Sequence, residues 1–320
     1  MIFRQLRPNS DNVELAVMMV ILLLSVALFG TIVPGFFSGP LFSSMAFQLP
    51  ELGLLTLAMF IPIISGGLNL SVTYSANISA LLGAFLIKAF LMNSGWVSLP
   101  IALLISVGTG LIFGLLIGLM VAYIGVHPIL VTLGGMILLR GIGEWTTRGG
   151  DISGMPEVFN VIGHGSFLGI PIPMILFLLA ACFTFYILDR TKEGFSIYMV
   201  GSNPSATMYS GIDAKKILVL VYGLSGLLSG LAGILMLSRF NSVRVGHGDS
   251  YLLVTILACF LAGANPFGGF GRVLPLVIAL MSLQVIASGM NLMGVSQHLT
   301  TAAWGAFLII VMAIRAPLQK

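Results

Sequence analysis

The chain has 320 residues, of which 58% are hydrophobic and only 8% charged, and its mean hydropathy is +1.10. A soluble domain carries about a quarter charged residues, so a water-facing globule is excluded and most of this surface must meet lipid. The net charge of +4 is too small and too dispersed to form a nucleic-acid-binding stripe.

The first element is MIFRQLRPNSDNVELAVMMVILLLSVALFG. It has a basic start, and its apolar run outlasts the roughly 7–15 residues of a signal-peptide core, so it reads as a membrane helix over 14–35. Further apolar runs follow at 50–66, 70–92, 98–124, 128–146, 171–188, 216–238, 251–264, 273–292 and 298–314. At about 20 residues per crossing this predicts about ten spans. The short run 251–264 is also compatible with a half-helix or re-entrant segment. Backbone groups in lipid need partners within their own segment, which makes helices the default, and the short alternating strands of a β-barrel are absent. The expected fold class is therefore an all-α polytopic membrane protein, with residues 1–320 forming a single transmembrane domain. Cys182 and Cys259 both fall inside apolar runs and read as packing residues rather than a disulfide framework.

Positive charge in short loops sets orientation. Arg4 and Arg7 precede the first run, Arg190 and Lys192 follow the sixth, Lys215 and Lys216 precede the seventh, and Arg315 and Lys320 follow the last. With an even span count, all of these lie on one side, which assigns both termini to the cytoplasm. The loop RGGDISGMPEVFNVIGHGSFLGIPIP then lies outside. The inner loop 189–216 is the most polar stretch of the chain. Within it, Ser202-Asn203-Pro204 combines a capping residue with proline at the first helical position. A short helix from about Pro204 to Ser210, ended by Gly211, is expected outside the lipid, in a position suited to docking.

Two stretches break the apolar pattern. IISGGLNLSV carries Gly66, Gly67, Asn69 and Ser71, with Thr73, Tyr74, Asn77 and Ser79 close behind. ILACFLAGANPFGGFGRVLP carries Gly263, Pro266, Gly268, Gly269 and Gly271. Irregular backbone at membrane depth is tolerated only where protein or a watery cavity satisfies it, and paired interruptions in two halves of a chain mark the binding region of repeat-built transporters. In the ninth run, Gln284, Ser288 and Asn291 share one helical face. Polar faces are expensive against lipid, so these residues either bond between helices or line a solute path. Gly110, Gly114 and Gly118, and likewise Gly223, Gly226, Gly230 and Gly233, form small-residue ridges for close helix packing. Arg140 and Glu144, four apart, suggest an ion pair near the outer interface, and Lys88 reads as a snorkelling side chain.

The chain contains no GxxxxGK[ST], HExxH or GxSxG motif, and His127, His164, His247 and His298 are scattered. Glu144 stands out as the one acid well inside a predicted span, which argues against a proton-coupled pump.

Five segments taken together carry a resemblance: SGGLNLSV, HPILVTLGGMILLRGI, GSNPSATMYSGIDAKKILVLVYGLSGLLSGLAGIL, LAGANPFGGFGRV and MNLMGVSQHL. In order and spacing they are similar to the permeases of bacterial monosaccharide ABC importers, the ribose, galactose, arabinose and xylose group. The resemblance implies a vitamin-B12-importer-like (type II) permease fold with inverted repeats and broken helices, in the bacterial inner membrane. It implies a second permease, identical or different, a cytoplasmic ATP-binding subunit, and a soluble sugar-binding protein outside. No cofactor is expected on this chain, because ATP and magnesium would sit on the partner. The helix at 203–211 would be the coupling helix, with Gly201, Asn203, Pro204, Ala206, Ser210 and Gly211 at the ATPase dock. Gly66, Gly67, Asn69, Ser71, Thr73, Asn77, Gln284, Ser288 and Asn291 become candidates for the translocation path, and Gly263, Gly268, Gly269 and Gly271 for the second helix break.

The chain departs from the family pattern at several positions. Asn69 stands where the family usually has Asp, Thr73 where it has Gly, Ala262 in place of a glycine, and Leu274-Pro275 in place of Gly-Thr. Heteromeric members of the family include importers of the furanose signal autoinducer-2. The expected function is that of a non-catalytic permease subunit moving a small sugar or sugar-like solute inward. The alternative is an ion-coupled secondary transporter of a small polar solute, which leaves the docking loop without a role.

Overall fold

The computed structural model describes residues 8–92 and 94–315, so Arg4, Arg7 and Lys320 lie outside the described residues, as does the side chain of Arg315. The fold is all-α. Its long helices are α1 (Pro8–Ile32), α2 (Gly39–Ile64), α3 (Val72–Leu86), α4 (Ser98–Leu119), α5 (Pro128–Thr147), α7 (Ile172–Arg190), α10 (Ala214–Phe240), α12 (Val273–Leu292) and α13 (Gln297–Arg315). Shorter ones are α6 (Phe159–His164), α8 (Lys192–Ser202), α9 (Pro204–Tyr209) and α11 (Asp249–Leu261). Single π-turns continue α3 to Leu91 and α4 to Ile124. Among the described residues, eight helices are long and apolar enough to cross a membrane, and 249–261 and 297–313 are shorter apolar helices. The predicted runs are thus all helical. At about 1.5 Å per residue, the 13 residues of α11 fall well short of a hydrocarbon layer about 30 Å thick, which makes α11 a half-helix ending at the second break.

The centre of the bundle is α2, flanked by α3, α7, α10, α11 and α12. From Leu54 to Ile64 nearly every α2 side chain is buried. By contrast, α1, α4 and α5 present exposed leucines and isoleucines, such as Leu24, Leu104, Ile112, Ile137 and Leu138. In water that surface would be a large aggregation-prone patch; in a bilayer it is ordinary lipid contact.

The two glycine ridges meet each other. A Cβ on Gly110 or Gly114 would collide with the carbonyl of Gly226 or Tyr222, and one on Gly226 or Gly230 with the carbonyl of Gly110 or Ser106. With no hydrophobic drive between helices in lipid, this backbone-to-backbone approach is what holds α4 against α10.

On the face remote from α9, the predicted outer loop is more ordered than its composition suggests. Ile152–Ser153 pairs antiparallel with Ser242–Val243, Ser166–Phe167 pairs with Ile170–Pro171, and α6 packs on α10. Asn241, just past α10, accepts the Met155 amide on its side-chain oxygen at 2.8 Å and the Gly154 amide on its carbonyl at 3.1 Å. The two cysteines are free, Cys259 buried and Cys182 exposed.

Candidate translocation and docking sites

The first helix break begins with a proline inside α2. Pro62 has no N–H, so the carbonyl of Ala58, one turn back, lacks its usual helical donor. The hydroxyl of Ser225 on α10 donates to that carbonyl at 2.6 Å. Its proton is then committed, and it can only accept from residue 69. Asn69 does donate to it, Nδ2 to Oγ, at 2.9 Å. The amide oxygen of Asn69 meanwhile accepts from the Ser71 hydroxyl at 2.7 Å and the Ser71 amide at 3.2 Å. A carboxylate at 69 would have no proton to give Ser225. An amide at 69 thus completes a hydrogen-bond chain running Ala58, Ser225, Asn69, Ser71.

Asn69, Ser71, Thr73 and Asn77 are all buried. Thr73 Oγ1, Ser75 Oγ and Asn77 Nδ2 have no hydrogen-bond partner among the described residues. Thr132 on α5 donates to the Leu68 carbonyl at 3.1 Å, and the Tyr222 hydroxyl occupies the space where a Gly67 side chain would stand.

The second break, 262–272, is held by its own turn: the Asn265 amide donates to the Phe270 carbonyl at 3.0 Å, and Gly268 N–H to the Asn265 carbonyl at 3.0 Å. The Gly263 position is pressed against the Glu14 carboxylate of α1. Far apart in sequence, the two breaks are adjacent in space. Gly269 N–H donates to the Ile64 carbonyl at the end of α2 at 2.8 Å. Gly66 (φ +84°) and Gly268 (φ +90°) both adopt the left-handed conformation that glycine accepts without strain.

A third segment closes this junction. Gly201, in the last turn of α8, lies so close that an added Cβ would collide with the Ile64 carbonyl and stand 2.6 Å from Gly269 N. A Cβ on Gly268 would lie 2.7 Å from Gly66 Cα and 2.8 Å from the Gly201 carbonyl. The Tyr198 hydroxyl, one turn earlier in α8, donates to the Gly271 carbonyl at 2.6 Å, and burial pushes that phenol's pKa up. Both broken helices and α8 therefore touch backbone to backbone.

From this junction the chain runs directly into α9. Asn203 caps it, its side-chain oxygen accepting from Ala206 N–H at 3.0 Å, and Pro204 occupies the first turn. Gly211 (φ +79°) ends the turn. Asp213 then caps α10, accepting from the Lys215 and Lys216 amides at 3.1 and 3.3 Å. The Lys216 backbone N–H is the main reason its carboxyl is held below the ordinary range. Asn203, Pro204, Ala206, Ser210 and Gly211 are exposed, whereas Gly201 is half-buried in the junction. Sequence reasoning missed Met208 and Tyr209, whose exposures of 64% and 94% make them the apolar tip of α9. Two large apolar side chains projecting from a six-residue polar helix were the available signal.

Gln284, Ser288 and Asn291 lie elsewhere, on a cavity of about 240 Å³ between α2, α11, α12 and α13. Gln284 Nε2 donates to Gln48 Oε1 and to Ser288 Oγ, both at 3.2 Å. The structure thus separates the path candidates into a buried group at the first break and a second group lining this cavity.

The expectation about membrane acids needs correction. Glu144 is exposed near the C-terminal end of α5, paired with Arg140 at 2.8 Å. The deeply placed acid is Glu51, fully buried in the middle of α2, with Arg239 Nη1 3.0 Å from its Oε1 and Tyr251 Oη 3.5 Å from its Oε2. Glu51 had read as the edge of an apolar run because α2 starts eleven residues earlier than hydropathy suggests, at Gly39 rather than 50.

A polytopic helical bundle in which two glycine-rich breaks meet near one end, with a polar cavity toward the other, is the architecture of a solute permease. Residues 41–314 match the family described as branched-chain amino acid transport system / permease component, and the chain belongs to that family. It is similar to the autoinducer 2 import system permease protein LsrD of Salmonella typhi, with 32% identity over 272 residues, 83% of this chain and 80% of that protein. The protein of the same name from Photorhabdus temperata is 28% identical over 304 residues, 93% of this chain and 89% of that one. The one from Enterobacter sp. (strain 638) is 30% identical over 309 residues, covering 93% and 91%. No solved structure gives a significant match.

Proposed function

We propose that this chain is the non-catalytic permease subunit of an ATP-driven importer that brings a small neutral, sugar-like solute, of the autoinducer 2 type, into the cytoplasm. In this reading it sits in the bacterial inner membrane with both termini cytoplasmic and pairs with a second permease, identical or different. An ATP-binding subunit carrying ATP and magnesium docks on α9, a soluble binding protein delivers solute from outside, and no cofactor binds this chain. The observation that carries the reading is the junction of Gly66, Gly201, Gly268 and Gly269. It joins the exposed helix α9 to both breaks through close backbone contacts, with the Tyr198 hydroxyl bonded to the Gly271 carbonyl beside them. A push on α9 reaches Gly201 within three residues, and Gly201 cannot move without displacing Ile64 and Gly269. A secondary transporter has no use for such a connection.

The test is purification of the tagged chain from its own host in mild detergent, followed by mass spectrometry. Recovery with an ATP-binding subunit is expected, and a second, different permease would show a heteromeric importer. Recovery with no ATPase overturns the proposal. Gly211→Arg should still insert into the membrane but lose uptake, and normal uptake by that variant would reject α9 as the dock.

A further inference from the structure

Three polar stripes converge in the half of the bundle remote from α9. They are Ser44 and Gln48 on α2, Gln284, Ser288 and Asn291 on α12, and Thr300 and Trp304 on α13. Each follows the three-to-four-residue helical repeat, so each is one continuous face, and all open on the same space of about 240 Å³. That space admits several water molecules. Asn291 at the mouth is exposed, while Gln284, Ser288 and Thr300 are only 7–8% exposed.

No charged side chain is among the described residues lining the cavity. Behind Tyr251, Glu51 is paired with Arg239 at 3.0 Å. A zwitterion, phosphate or carboxylate entering here would lose its hydration and find no counter-charge, at a cost of several kcal/mol. Amides and hydroxyls, which both donate and accept, match a ligand whose groups do the same, and the Trp304 indole offers an apolar face to ring C–H groups.

We propose that this cavity is a station, open on the face away from α9, for a neutral polyhydroxylated solute held by Gln284, Ser288 and Asn291 within a single permease. The proposal rests on the import reading and narrows it. It places solute inside this chain and rejects amino acids, although the family is named for them.

The test introduces Ser288→Cys into a Cys182→Ala background of the full chain in whole cells. A membrane-impermeant, charged methanethiosulfonate is then added from outside. Asn291→Cys, nearer the mouth, is a second probe should Ser288→Cys fail to reach the membrane, and Leu28→Cys, on the exposed face of α1, is the lipid-facing control. Labelling at 288 is expected to exceed that at 28 by about tenfold or more, since only a hydrated thiol ionises to the reactive thiolate. Ribose or autoinducer 2 should slow it several-fold, and leucine should not. Absence of labelling at both 288 and 291, protection by leucine, or labelling that neither ribose nor autoinducer 2 slows would each overturn the proposal. Labelling needs no ATPase, so failure of the import reading would show separately, as a chain purified without one.

Discussion

Replacing Gly201 with alanine tests whether the junction is as tight as its geometry implies. Alanine is the better helix former, and in α8 it should add about 0.5–1 kcal/mol of stability. Against this, the new methyl group is driven into the Ile64 carbonyl and to 2.6 Å from Gly269 N. Both are backbone atoms that no rotamer change can remove. Overpacking of this kind costs about 1–3 kcal/mol. Prising the segments apart would also break the 2.8 Å bond from Gly269 to Ile64, worth about 1 kcal/mol. The net expectation is destabilisation by about 1–3 kcal/mol, a fall in melting temperature of several degrees at about 2–4 °C per kcal/mol. Gly141→Ala is the control, because nothing lies within 4 Å of a Cβ there, and it should hold or slightly raise the melting temperature. Thermal unfolding of the detergent-purified importer gives both values, and solute uptake is measured alongside. If Gly201→Ala behaves like Gly141→Ala, the close approach is wrong. If it melts early yet transports normally, the contact is structural and carries no motion.

Tyr209→Ala should leave the melting temperature nearly unchanged, since the side chain is 94% exposed, while sharply reducing ATPase recovery in pull-downs; undiminished recovery would remove Tyr209 from the dock. Arg239→Leu leaves the buried Glu51 carboxyl without its partner, and breaking such a pair typically costs about 3–5 kcal/mol. The double variant Glu51→Leu/Arg239→Leu should recover much of that loss by thermal unfolding, and simple addition of the two single effects would show that the pair is not coupled. Asn69→Asp brings back the residue more usual in the family, yet should destabilise this chain by about 1–3 kcal/mol, because the Ser225 hydroxyl loses its donor and gains a buried charge. A neutral or stabilising effect, read by melting temperature, would refute the hydrogen-bond chain from Ala58 to Ser71.

The spans were legible because lipid demands unbroken apolar stretches, and the membrane spans over 14–32, 128–147 and 273–292 follow hydropathy closely. The cap of α9 was legible for an equally local reason, since Asn203 and Pro204 act within one turn. The beginning of α2 was hidden, and the residues that hid it are informative: Ser44 and Gln48 interrupt the apolar run because they face the cavity. The same polarity masked the burial of Glu51. Helix α8 was unreadable because the partners it packs on include α2, remote in sequence, and the second break, which is irregular. Least legible was the meeting of residues 66, 201 and 268. Nothing local distinguishes a glycine needed for a turn from one needed because another backbone passes beside it.

Helix α10 runs from the Asp213 cap beside the dock to Asn241 at the opposite face, 27 residues or about 40 Å. Its far end is fastened to the outer loop by the Asn241 bonds and the Ser242–Val243 pairing, and its flank is riveted to α4 by glycines. Such a rod works as a seesaw beam. A tilt imposed at the α9 end must appear, reversed, at the 147–170 loop, with no relay of side chains in between. Opening at one end and closing at the other would then be one movement of one lever, and a leak with both faces open would require the beam to bend.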